Sequence, residues 1–582
     1  MLSVLAGAGV SLAQAPGAPP PADAPKGNPA EQYKLTTPHP EGWMAQIDGT
    51  DIFAPDIRMG DKATIDKIID EGKNRSQVMK HLEHLTKQIG PRLTGSANAE
   101  KANRWCGSQY TAWGLTNVQV EEWGTIPVRF DRGPSVGRIV SEKKAADGSH
   151  GDAGVEVLRE LEFTTPAWSP GTKGISRGRV VAMPKTEEEY NAAKASLKGA
   201  WVVILKDEGT GMRRGGAAAA RSRAAVEARR KVAEEHIDPA ALPWEDRMLF
   251  DGILGYISSS NDERVWTGAA PDWRKLDAAK LPTDVFVTVR QSDYDYLVAG
   301  ITDKKDMEVE FDLQNTFTAG PISCYNTIAE IKGTEKPDEV VIVSAHLDSW
   351  NGPGSEGCTD NGTGSSVTLE AARILAAVGA KPKRTIRFCN WTGEEQGLLG
   401  SRGYVEKHKD DLTKTVSACF VDDGGTNYEG GLKALENMVP MLAAATAPIN
   451  SAFPDMKVNV QTVKRMPRGG ASDHASFNAI GVPGFFWDEV GRADYGYGWH
   501  TQHDKLDLAI PEYLVQSATC AAVTAYNLAC ADTLLPRQAP TPEGEDSQDR
   551  PRRRPDAQAS APAAPAPAAA PAAPKPRKKI LP

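Results

Sequence analysis

Beyond residue 325 the chain alternates short apolar runs of strand length with longer stretches whose apolar positions recur at helical spacing. The runs lie at 339–345, 385–390, 416–421 and 482–487. Between the first two, 365–378 reads as a helix that opens around Thr363-Gly364-Ser365-Ser366 and stops at Gly379. This alternation predicts an α/β fold with a mixed, mostly parallel sheet sandwiched by helices. Nearer the amino end, 65–113 has helical spacing, broken by a turn at Gly90-Pro91-Arg92-Leu93-Thr94-Gly95, and 116–123 alternates polar and apolar residues as a strand does. Residues 125–320 differ in character. Strand patterns recur at 179–183, 201–206, 253–258 and 284–289, a charged helix is predicted at 217–235, and no convergent set of His, Asp and Glu is present.

At 582 residues the chain exceeds what one core organises, so several domains are expected. The pattern divides it into 31–124, a helical amino-terminal part; 125–320, an accessory insert; and 321–535, the site-bearing domain. Residues 1–30 read as a signal peptide and linker, with a small-residue cleavage site after Ala13, which predicts a periplasmic or secreted protein. Residues 536–582 form a Pro/Ala-rich basic tail with almost nothing to bury, expected to be disordered. A net charge of −9 argues against nucleic acid as a partner, and no apolar run reaches the length of an integral membrane span. Seven cysteines make an odd set without a disulfide-scaffold pattern, and Cys389 and Cys419 fall inside apolar runs as small core residues.

The chemistry gathers where the apolar runs end. His346 and Asp348 follow the first, Glu394 and Glu395 the second, and Asp422 and Asp423 the third. Asp360 lies in a glycine-rich loop before the helix, and His500, His503 and Asp504 come later. The carboxyl ends of parallel strands are where such sheets bind ligands. His346 can bind a cation there while Asp348 accepts its other ring N–H. Asp360 suits a carboxylate shared between two cations about 3.5–4 Å apart. Adjacent Glu394 and Glu395 at a core edge repel unless cations or protons intervene, so Glu395 is assigned to the metal and Glu394 to taking the proton from water. Asp422 or Asp423 completes one shell, Asp422 being preferred as the first residue past the strand, and His500 completes the other. His503 and Asp504 are expected to support or cap.

On these motifs the sequence resembles the secreted di-zinc exopeptidases, the family of bacterial zinc aminopeptidases, carboxypeptidase Q and glutamate carboxypeptidase, over roughly residues 75–530. The resemblance implies His346, Asp360, Glu395, Asp422 and His500 as ligands of two Zn2+ ions, with Co2+ or Mn2+ able to replace them in vitro. It implies Glu394 as the base, with Asp348 beside it, and 125–320 as a β-rich protease-associated domain. The Gly90–Gly95 turn and Ser472-Asp473-His474 also match, which makes Asp473 and His474 candidate substrate contacts. Some relatives carry a tyrosine immediately before the last histidine; here that residue is Trp499, so Tyr495 or Tyr497 is the candidate substitute. The expected substrate is a peptide or dipeptide. An acid such as Asp488 or Glu489 near the site would favour recognition of a free amine, and an arginine such as Arg468 or Arg492 a carboxylate. A carboxypeptidase, a metal-free binding protein and a single-zinc glutaminyl cyclase are the alternatives on this scaffold.

Overall fold

The computed structural model describes residues 41–144, 150–206, 216–466 and 472–537. The signal peptide and linker read at 1–30, and all but the first two residues of the 536–582 tail, lie outside the described residues.

Four parallel strands carry the site: Gly484–Phe486, Val416–Val421, Lys336–His346 and Arg384–Trp391, in that spatial order. Their apolar runs are continuous because both faces are buried, and the period of two sorts each run between two cores. Val341 and Val343, Ile386 and Phe388, and Ala418 and Phe420 join one core, with the helices Thr363–Ala377 and Pro511–Cys530. Val340 and Ile342, Cys389 and Trp391, and Cys419 and Val421 join the other, with Tyr404, Val405 and Leu412 of the helix Leu399–Thr415. That helix lies close to the sheet: a Cβ at Gly400 would stand 2.2 Å from the Thr392 carbonyl oxygen. All seven cysteines are buried and free. Among the described residues no helix is long and apolar enough to cross a membrane.

Register aligns the carboxyl ends. His346 stands opposite Trp391 and Ser344 opposite Val421, so the loops that follow leave from one edge of the sheet. A second sheet, ordered Asp488–Val490, Tyr428–Leu435, Asn459–Val463, Met44–Ile47 and Thr50–Phe53, flanks this edge. Its last two strands form a hairpin in the part of the chain read as helical. Asp48 and Gly49, with φ of 47° and 79°, make its turn, and the Asp-Gly pair is the local signal for it.

Two long antiparallel strands, Thr116–Lys144 and Glu308–Ile331, pair from Thr116 opposite Glu330 to Val140 opposite Glu308. Both expected insert boundaries, at 125 and 320, therefore fall inside continuous strands. One end of this ribbon extends the central sheet through Thr327–Ile331, and the other pairs with Ser176–Ala182 of the insert. Beyond it, Ser176–Ala182, Trp201–Val203, Gly255–Ser259 and Phe286–Val289 run parallel. The helix Gly216–Glu234 packs on one face of these strands through Ala225 and Ala228, and Gln291–Thr302 on the other through Tyr294 and Leu297.

The Gly90–Gly95 turn is tied to the site-bearing loops by Arg92, whose side chain is fully buried. Its guanidinium donates to the carbonyls of Leu347 (2.7 Å), Gly357 (2.6 Å), Gly90 (3.1 Å), Leu85 (3.2 Å) and Glu356 (3.4 Å). One charged group thus satisfies backbone acceptors from three separate segments. Arg92→Met, which strands these acceptors away from water, is expected to lower stability by about 3 kcal/mol, read as a fall in the urea midpoint. An unchanged midpoint would show that the carbonyls find other donors.

Candidate metal centre

His346 is the last residue of its strand and fully buried. Its Nδ1 lies 3.0 Å from the backbone carbonyl of Asp348, which makes Nδ1 the protonated nitrogen and leaves the Nε2 lone pair facing the cluster. Nε2 is 3.0 Å from Asp423 Oδ1 and 3.3 Å from Asp360 Oδ1. On the far side of Asp360, His500 Nε2 is 3.2 Å from Asp360 Oδ2 and 3.0 Å from Glu395 Oε2. The Asp360 carboxylate thus spans the two imidazoles, one oxygen toward each. Two triads result, His346–Asp360–Asp423 and Asp360–Glu395–His500, each with its donor atoms within 4.8 Å of one another.

The carboxylate facing His346 belongs to Asp423, a correction by one residue to the preference for Asp422. Asp422 still belongs to the ladder, its N–H donating to Ser344 O at 3.0 Å, so alternation turns its side chain to the face opposite Val421. There it lies beside Glu489. Asp348 supports the same ring as expected, but its backbone oxygen is the nearer acceptor, at 3.0 Å from Nδ1, with its carboxylate at 3.5 Å. The carboxylate accepts from Thr94 Oγ1 (2.7 Å) and from the Glu394 N–H (3.3 Å), which fixes the turn that presents Glu394 and Glu395. Thr94 went unassigned in the sequence, although its motif was visible. Asp504 accepts from the N–H (2.5 Å) and hydroxyl (2.8 Å) of Thr359, bracing the residue before Asp360.

The candidate substrate contacts separate. Tyr497 is 43% exposed and stacks on His503 at 4.6 Å, away from the cluster. Tyr495 instead has its hydroxyl in the field of Asp360, Asp423 and Glu395, and burial together with these charges raises its pKa well above the usual value. Asp473 is buried in the field of Glu394 and His346, whereas His474 packs edge-on against Phe486 at 5.5 Å. Asp488 is engaged by Lys433 (2.5 Å) and Arg492 by Glu512 (2.6 Å); Glu489 accepts from the Gly424 N–H at 2.6 Å. Arg468 lies outside the described residues.

The donor set fits a pair of divalent cations. Burial opposes protonation of both histidines, yet the facing carboxylates overcome it, raising His346 well above the usual imidazole value and His500 to about 10. Burial raises Glu394 well above the carboxylate range, and burial with Asp360 raises Glu395 to about 8. Asp360 goes the other way: the two imidazoles outweigh burial and lower it. The cluster therefore demands positive charge, which protons supply when metal does not. Nitrogen and oxygen donors without thiolates suit zinc, cobalt or manganese.

Residues 326–524 match Peptidase family M28. The chain is 27% identical to carboxypeptidase Q of Mus musculus over 474 residues, covering 80% of this chain and 88% of that protein. It is 32% identical to aminopeptidase YwaD of Bacillus subtilis over 204 residues, 34% of this chain and 43% of that one. Among solved structures, a peptidase M28 precursor from Shewanella amazonensis aligns at 25% identity and a TM-score of 0.55, covering 82% of this chain and 99% of that one.

The buried acids make metal-free stability depend on pH. Burial raises Glu395 to about 8 and Asp422, Asp473 and Asp504 to about 7, so each holds a proton in the folded chain that the unfolded chain releases near pH 4. Their contribution is complete below that pH and is lost as pH rises through 7 to 8. His474, lowered to about 4 by burial, acts oppositely but only below about 6.5, and His500, raised to about 10, adds to the loss from about 6.5 upward. The melting temperature of chelator-treated protein is therefore expected to fall between pH 6.5 and 8, and saturating zinc to reverse the loss. A flat or rising profile would contradict this account.

Proposed function

We propose, on the match of residues 326–524 to Peptidase family M28, that the chain is an exported two-zinc exopeptidase acting on peptides or dipeptides from the amino end. The observation that carries this reading is the Asp360 carboxylate held between His346 and His500, with Asp423 and Glu395 completing a triad on either side. In this reading His346, Asp423 and Asp360 hold one ion, and Asp360, Glu395 and His500 the other. When bound, the pair acidifies water and polarises the scissile carbonyl.

The chain's own residues do the rest. Glu394, whose backbone is fixed by Asp348, accepts a proton from the attacking water and returns it to the departing amine. Burial keeps its carboxyl basic enough for that role. Of the two candidates, Tyr495 and Tyr497, Tyr495 is the hydroxyl donor available to the carbonyl oxygen. Export rests on the apolar first residues of the chain. The four parallel strands of the insert support its reading as a protease-associated domain.

Similarity to carboxypeptidase Q over 80% of the chain makes a carboxypeptidase the second reading. An amino-acid nitroanilide and an amino-blocked dipeptide separate the two. Turnover of the first only is expected, and turnover of the second only would establish the alternative.

Glu394→Ala is expected to retain two zinc ions per chain by elemental analysis while kcat falls by about 10²–10⁴. Asp360→Ala and Asp423→Ala are expected to lose metal. Near-normal turnover in fully loaded Glu394→Ala would refute its role.

A further inference from the structure

The two histidines of the site are held by very different means. His346 is fully buried and ends a central strand that has a parallel neighbour on either side, its own register partner being Trp391. His500 follows a four-residue helix, has its side chain 23% exposed, and sits at φ 58°, a left-handed conformation that strains a non-glycine residue. Its own segment closes a turn around it, the Thr501 N–H donating to the Gly498 carbonyl at 2.9 Å, but that turn is anchored to the sheet by no strand of its own.

A second restraint, which places this turn against the rest of the site, comes from the insert. The Thr267 N–H donates to the His500 carbonyl at 2.9 Å, and Trp266 forms an antiparallel bridge with Thr501. Two residues past His500, the Gln502 side chain, 6% exposed, closes the junction. Its Oε1 accepts from the Val265 N–H at 2.8 Å, and its Nε2 donates to the Glu263 carbonyl at 3.1 Å and to Glu162 Oε2 at 2.9 Å. Glu162 is held in turn by Arg290 at 2.7 Å, and Arg264 reaches the Gly496 carbonyl at 2.8 Å. The loop that follows Asp348 packs on the same strap, where a Cβ at Gly352 would stand 1.9 Å from Thr267 Oγ1.

We propose that the insert is a structural part of the second cation site, with Gln502 as the positioning residue through which residues 263–267 fix His500. The inference rests on the two-cation reading above. An imidazole displaced by a fraction of an ångström loses most of its coordination, so the strap sets affinity for the ion shared by Asp360, Glu395 and His500. The ion at His346 is held without it. The insert thereby acts on the site without contributing a donor atom.

Zinc retained per chain across a graded chelator series, read by elemental analysis, tests this on the full-length protein. Wild type is expected to hold two ions. Gln502→Ala is expected to keep one tightly and to bind the other about 10–100-fold more weakly, the usual effect of removing a group that supports a ligand. Gln502→Glu, which sets a carboxylate against Glu162 and removes the donor to Glu263, is expected to weaken the same ion. Adding Glu162→Gln to Gln502→Glu restores a donor–acceptor pair and is expected to recover part of the loss. Wild-type affinity for both ions in Gln502→Ala, or equal weakening of both, overturns the proposal. If Gln502→Ala does not fold, equal affinities in Gln502→Glu and the double variant overturn it instead. Fewer than two ions in wild type would refute the two-cation reading, and the proposal with it, an outcome distinct from the loss of selectivity in Gln502→Ala.

Discussion

A dense group of acids buried at the carboxyl edge of a parallel sheet is the constraint on which the rest of this protein is built. Uncompensated, such a group is costly, because each carboxylate loses its hydration and faces like charge. The fold supplies the compensation locally. Asp360 lies between two imidazoles, just ahead of the helix Thr363–Ala377, whose amino end favours negative charge. Arg92 buries a positive charge nearby, directed at backbone carbonyls of its own segment and of the loops that carry Asp348 and Asp360. The remaining deficit of positive charge is what gives the site its affinity for cations.

The same arrangement explains why the surroundings are rigid. Alternate residues of the central strands enter two separate cores, so the sheet is clamped from both faces. Register then fixes where His346, Trp391 and Val421 end relative to one another. The side chains beyond those ends inherit that precision only where a second contact holds them. Asp348 provides it for the Glu394 turn, Asp504 for Thr359, and the insert strap for His500. A loop that must carry a donor is in each case anchored by a residue distant in sequence.

The insert changes meaning in this light. Its strands and helices form a small layered unit with cores of their own, yet the ribbon Thr116–Lys144 and Glu308–Ile331 runs unbroken into the central sheet. Contact at both the ribbon and the His500 loop makes it continuous with the site it borders. A sequence stretch without a convergent set of His, Asp and Glu thus still touches the loop that carries His500.

Much was legible from local pattern. The central strands, the helix after Asp360, and the insert strands were readable because period and boundary signals lie within a few residues of one another. The hairpin at Asp48-Gly49 carried an equally local signal that the helical reading passed over. Six residues of three types, His, Asp and Glu, at strand ends and in two loops, were enough to indicate a metal-dependent hydrolase, since few other chemistries need that set. Which carboxylate meets His346 was decided only in three dimensions. One further ladder bond at Asp422 shifts the alternation and gives the place to Asp423. Likewise Tyr495 faces the cluster and Tyr497 does not, and Thr94 and Gln502 gain their roles from contacts more than 200 residues away. Sequence alone settled the elements and the kind of chemistry, because periodicity and residue type are local. Tertiary structure alone settled the partners, because side-chain direction at a strand end depends on hydrogen bonds made by the neighbouring strand.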